Sequence, residues 1–116
     1  TMYEEYLMED AEVCVVAFGI TARVAKNAVN EARKRGVKVG MIRPITLWPF
    51  PTKPLKAAAE KCKRFITVEM NMGQMIDDVK LAIDCKRPVD LCNRVGGMIP
   101  TPEDVLSAIM SNGGAE

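Results

Sequence analysis

The chain predicts an α/β fold of three layers, α/β/α, in which a mainly parallel sheet of four or five strands lies between two layers of helices. Short apolar runs alternate with longer segments of 3.6-residue apolar periodicity, and the links between them are brief and marked by glycine or proline. The runs are apolar at consecutive positions, as strands covered on both faces require. A length of 116 residues suits one domain, 1–116, with 1–10 as a lead-in segment.

From the N-terminus, Tyr3 to Asp10 reads as helical and loosely docked. Val13 to Phe18 is the central strand. After Gly19, Thr21 is placed to cap a helix whose apolar stripe is Val24, Ala25, Ala28, Val29 and Ala32, closed by Arg33-Lys34-Arg35-Gly36 with cations at the negative end of the dipole. Val37 to Ile42 is the second strand, and Pro54 to Arg64 a helix burying Leu55, Ala58, Ala59 and Cys62. Phe65 to Val68 is the third strand. Asn71 and Gln74 have capping-box spacing ahead of a helix along Met75, Ile76, Val79, Ala82 and Ile83. Val89 to Cys92 is the fourth strand, and Thr101-Pro102-Glu103-Asp104 caps a last helix that buries Val105, Leu106, Ile109 and Met110.

Composition excludes more than it assigns. Hydrophobic residues at 48%, charged residues at 27% and a net charge of +1 describe an ordinary globular chain with no pull toward nucleic acid or anionic lipid. No apolar run reaches a membrane span, and the acidic start Thr1-Met2-Tyr3-Glu4-Glu5 is unlike a signal peptide, so the expected location is cytoplasmic. Histidine is absent, and Cys14, Cys62, Cys85 and Cys92 lack zinc or iron–sulfur spacing, so the thiols read as packing residues. Neither G-x-G-x-x-G nor the Walker pattern occurs.

Candidate functional residues gather where an open parallel sheet places its ligands, at the carboxyl ends of the strands. Gly19, Thr21 and Arg23 open the first helix, Arg43 closes the second strand, and Glu69, Asn71 and Met72 follow the third. Arg23 in a first helical turn invites a compensating anion. Two readings follow: an ion pair of Glu69 with Arg23 or Arg43, or a site holding a phosphate or carboxylate. Between Arg43 and Pro51 the prolines hold Leu47, Trp48 and Phe50 in a stiff aromatic loop, suited either to packing on the following helix or to an interface. Met72 suits interface packing as well as burial.

Three segments taken together, Ala17 to Arg23, Ile42 to Pro51 and Val68 to Met75, resemble the C-terminal domain of the alpha subunit of 2-oxoacid:ferredoxin oxidoreductases, and more distantly that of transketolase. The resemblance covers nearly the whole chain in order, with Cys14 and Ile20 departing from the aliphatic residue and serine common in relatives. It implies a three-layer domain, in many members with an extra antiparallel edge strand. For the complete enzyme it implies thiamine diphosphate, magnesium, iron–sulfur clusters and coenzyme A, and oxidative decarboxylation of a 2-oxoacid to acyl-CoA. None of these cofactors is expected to be bound by this chain, which lacks the Gly-Asp-Gly to Asn signature and cluster ligands. It is therefore expected to fold yet be inactive alone. Its implied partners are the remaining alpha-subunit domain and the beta subunit, with ferredoxin reached through the complex. A stand-alone flavodoxin-like ligand-binding or regulatory module is the alternative; it fits the alternation but not the aromatic loop.

Overall fold

A computed structural model of the protein describes residues 3–45, 52–69, 74–92 and 100–111. The elements are β1 (Tyr3–Tyr6), β2 (Val13–Ala17), α1 (Ile20–Lys34), β3 (Val39–Pro44), α2 (Thr52–Ala59), β4 (Arg64–Val68), α3 (Gln74–Ala82), β5 (Val89–Cys92) and α4 (Pro102–Met110). They form one sheet in the order β1-β3-β2-β4-β5, with β2 at its centre as the sequence predicts. β3, β2, β4 and β5 run parallel, and β1 runs antiparallel on the outside of β3, Tyr3 opposite Pro44 and Tyr6 opposite Met41.

Strand pleating sorts the core into two halves. Cys14, Val16, Ile42 and Phe65 pack with Leu55 and Ala58 of α2 and Val79 and Ala82 of α3. Val15, Met41, Ile66 and Val68 pack with Ala25 and Val29 of α1 and Val105 and Ile109 of α4. These are the two helix layers.

Several boundaries differ from the sequence reading. The first part of the lead-in, Tyr3–Tyr6, is a strand, because the helix propensity of Glu4 and Glu5 yields to ladder pairing with β3. It is the antiparallel edge strand the resemblance implies. The second strand is shifted toward Pro44, since Val37 is used to close α1 through its amide to Ala32 O. Helix α2 ends at Ala59, where Arg87 Nε donates to the Ala59 carbonyl at 2.9 Å, and Cys62 is buried beyond it. Phe18 lies outside the strand and is exposed, as is Met110 on α4. Thr101 does cap α4: its hydroxyl accepts from Asp104 N, and the Asp104 carboxylate accepts from Thr101 N.

Two arginines fasten the layers. Arg64, 5% exposed at the start of β4, donates through Nη2 to the carbonyls of Ala108, Ile109 and Ser111 and through Nη1 to Asp90, so a strand residue closes the C-terminus of α4. Arg33 donates to Val39 O, Leu7 O and the Asp10 carboxylate, tying α1 to the β1–β2 connection. That connection crosses Gly40 so closely that a Cβ there would lie 2.6 Å from Met8 Sδ and 2.7 Å from Leu7 O.

The Arg33 guanidinium holds the Asp10 carboxyl below its ordinary value. A depressed carboxylate contributes stability above its unfolded pKa, and that contribution is lost as pH falls through the folded value. Asp10→Asn should therefore lower the melting temperature slightly at neutral pH, with the difference from the parent chain vanishing between about pH 5 and pH 2, so that the acid limb is flatter. An acid limb identical to that of the parent chain would show that the pair is inert.

Candidate functional site

The carboxyl edge of the sheet begins where β2 ends. Gly19 turns the chain with φ 67° and ψ −137°, a conformation costly for any residue with a Cβ, and forms the N-cap of α1 without a side-chain cap. Thr21 is not that cap. It is buried within the first turn and shares its hydroxyl proton between Phe18 O at 2.6 Å and Val68 O at 3.2 Å, stapling the end of β2 to the end of β4. A hydroxyl engaged in this way is withdrawn from any ligand.

Arg23 is exposed on α1, and Arg43 stands at the end of β3 with Nη1 3.2 Å from Glu4 Oε1. The pairing of Glu69 with Arg23 or Arg43 is not the arrangement found among the described residues. Glu69 is buried at 7% exposure, and its Oε2 accepts from Ile76 N at 2.9 Å in the first turn of α3. It serves a helix terminus, whose free amides and dipole stabilise a carboxylate. Trp48, Phe50, Asn71 and Met72, with the Asn71–Gln74 capping box, lie outside the described residues.

Gly19, Arg23 and Arg43 do meet. They line a cavity of about 890 Å³ between the first turns of α1 and the β1–β3 ladder. Sequence reasoning missed Glu4, Tyr6 and Lys26, which line it too. The signal available was spacing: Lys26, Asn30 and Arg33 follow Arg23 at i+3, i+7 and i+10, one polar stripe on α1. The stripe was legible, but β1 against which it lies was not.

Three of the four thiols match their reading as packing residues, and Cys85 does not. Cys14 and Cys62 are buried in the α2–α3 half of the core, Cys92 in the α1–α4 half, and Cys85 is exposed in a turn. Burial pushes the Cys14 and Cys92 thiols up, away from the thiolate form a metal needs. Donors on opposite faces of a sheet do not fit an iron–sulfur cluster. Among the described residues no three histidine, cysteine, aspartate or glutamate side chains converge on a metal position, magnesium included. No helix among them is long and apolar enough to cross a membrane.

A parallel sheet with one antiparallel edge strand between paired helices defines the domain class found in transketolases. A split-gene transketolase, in its inactive beta4 tetramer, superimposes with a TM-score of 0.79 over 93% of this chain and 40% of that one, a likeness of fold alone at 20% identity. Residues 11–105 match the family model of the pyruvate:ferredoxin oxidoreductase core domain II, and the chain belongs to that family.

A 2-oxoglutarate:ferredoxin oxidoreductase from Magnetococcus marinus, solved with 2-oxoglutarate, coenzyme A and succinyl-CoA, shares the fold with a TM-score of 0.76 and 25% identity over 94% of this chain and 19% of that one. Among curated proteins, ketoisovalerate oxidoreductase subunit VorB of Methanothermobacter marburgensis is 52% identical over 92% of this chain and 30% of its own length. The 2-oxoglutarate synthase subunit KorA of Methanothermobacter thermautotrophicus is 38% identical over 92% of this chain and 28% of its own. The chain thus spans under a third of the length of these curated relatives.

Proposed function

We propose that the chain is the core domain II portion of the alpha subunit of a 2-oxoacid:ferredoxin oxidoreductase acting on a branched-chain 2-oxoacid, and that it serves assembly while the chemistry is carried elsewhere in the complex. The observation that carries the substrate class is the gap between 52% identity to a ketoisovalerate oxidoreductase subunit and 38% to a 2-oxoglutarate synthase subunit. In the complete enzyme a 2-oxoacid, coenzyme A and two oxidised ferredoxins would give acyl-CoA, carbon dioxide, two reduced ferredoxins and a proton. Thiamine diphosphate, magnesium, iron–sulfur clusters and coenzyme A belong to that assembly.

An assembly role is supported by the distribution of apolar surface. Tyr3, Phe18, Ile20 and Ile45, half of the large apolar side chains exposed among the described residues, lie at or beside the carboxyl edge. Directly after Ile45, the sequence from Thr46 to Pro51 carries Trp48 and Phe50 among prolines, residue types that serve as aromatic anchors at interfaces. In the full-length enzyme, Phe18→Ser combined with Ile45→Ser should weaken subunit assembly about tenfold or more, read by gel filtration and sedimentation, with a small change in melting temperature. The 116-residue chain alone should melt cooperatively and reduce no viologen dye with 2-ketoisovalerate and coenzyme A. Turnover by the chain alone, or assembly indifferent to the double variant, would defeat the assembly reading. A preference of the full enzyme for 2-oxoglutarate would defeat the substrate class.

A further inference from the structure

The polar stripe of α1 is committed residue by residue to the first strand and its connection. Arg33 holds Leu7 O and Asp10, Asn30 Oδ1 accepts from the Tyr6 hydroxyl at 2.6 Å, and the Lys26 ammonium sits 4.6 Å above the centre of the Tyr6 ring. Arg23 is the next member, and among the described residues it makes no hydrogen bond or ion pair. It projects from the helix that walls the cavity, whose other wall carries Arg43.

Arg43 is itself incompletely satisfied. Its Nη1 reaches Glu4, but its Nε is buried without a hydrogen-bond partner among the described residues. Both arginines and Lys26 line a single space of about 890 Å³, within the range of small-molecule sites, which gathers the uncommitted Arg23 guanidinium, the Arg43 guanidinium held through Nη1 by an exposed Glu4, and the Lys26 ammonium; the Arg43 Nε is buried away from solvent and adds no donor there. Tyr6 and Met41 add apolar surface to it. Glu4 and Glu5 lie there as well and disfavour a weak monoanion, whereas a multiply charged group can compete with Glu4 for Arg43.

We propose that this cavity binds a small, multiply charged oxyanion, phosphate or polycarboxylate, through Arg23 and Arg43 with Lys26 as the third cation. The site stands on this geometry independently of the enzyme reading. Thr21 takes no part in it, because its hydroxyl is spent on two carbonyls.

The test uses the 116-residue chain at low ionic strength, titrated separately with pyrophosphate and with citrate and followed by calorimetry and by amide NMR shifts. At least one probe should saturate with Kd below about 1 mM and shift the Gly19, Arg23 and Arg43 amides. R23Q and R43Q should each weaken binding at least about tenfold, with R23Q leaving the melting temperature unchanged because Arg23 supports no contact of the fold. Saturation by pyrophosphate alone assigns a phosphoryl ligand, and by citrate alone a carboxylate; either supports the site. Failure of both probes to saturate overturns it. So does affinity retained in both variants, or shifts scattered over surface lysines, which would mark an adventitious ion only.

Discussion

Replacing Arg64 with alanine should lower stability by about 3–5 kcal/mol, because it breaks a buried charged network and strips its partners at once. The carbonyls of Ala108, Ile109 and Ser111 lose their donor, and Asp90 loses its cation. For a domain of this size the melting temperature should fall by about 10–25 °C. Arg64→Lys should recover only part of the loss, since one ammonium cannot reproduce a planar fork shared among three carbonyls and a carboxylate. Asp90→Asn should do far less, its side chain being 41% exposed. Amide exchange would place the damage: protection should be lost first in α4. A melting temperature for Arg64→Ala within a degree or two of the parent chain would mean that the α4 carbonyls are satisfied without it.

Gly40→Val should act by displacement. A Cβ 2.6 Å from Met8 Sδ and 2.7 Å from Leu7 O cannot be accommodated by a rotamer change, because one obstacle is backbone. Leu7 O is further held by Arg33 Nη2 at 2.7 Å, so the connection cannot simply retreat. The cost should reach or exceed the roughly 1–3 kcal/mol usual for overpacking, with β1 detaching from β3. Amides of Tyr3–Tyr6 should then exchange early while β2 and β4 stay protected. Unchanged protection in β1 would refute this account.

Both positions mark the limit of what a one-dimensional reading could reach. The layers, the central strand, β5 and the Thr101 cap were legible because each rests on local pattern, an apolar run or a capping sequence. Arg64 read as the last residue of a lysine-rich helix; its burial depends on the end of α4, more than forty residues later. The four residues of β1 carry no alternation to betray a strand and become one only through β3. At the site, Gly19, Arg23 and Arg43 were legible as strand-end residues. Their companions Glu4, Tyr6 and Lys26 were not, since the wall they form exists only once β1 is placed. Thr21 and Glu69 were singled out for good chemical reasons and given the wrong partners, because choosing among nearby acceptors needs coordinates.

The antiparallel course of β1 also decides how the domain would bear tension. Tyr3 stands at the carboxyl edge opposite Pro44, while Ser111 is anchored near the opposite edge by Arg64 at the start of β4. A pull between these two points crosses the sheet obliquely, and its component along the strands loads the β1–β3 ladder in shear, where its hydrogen bonds share the load. Had β1 been parallel, with Tyr3 at the other edge, the same pull would have begun and ended on one side and opened the ladder bond by bond. The direction of β1 thus sets how the β1–β3 ladder would resist a load applied at Tyr3.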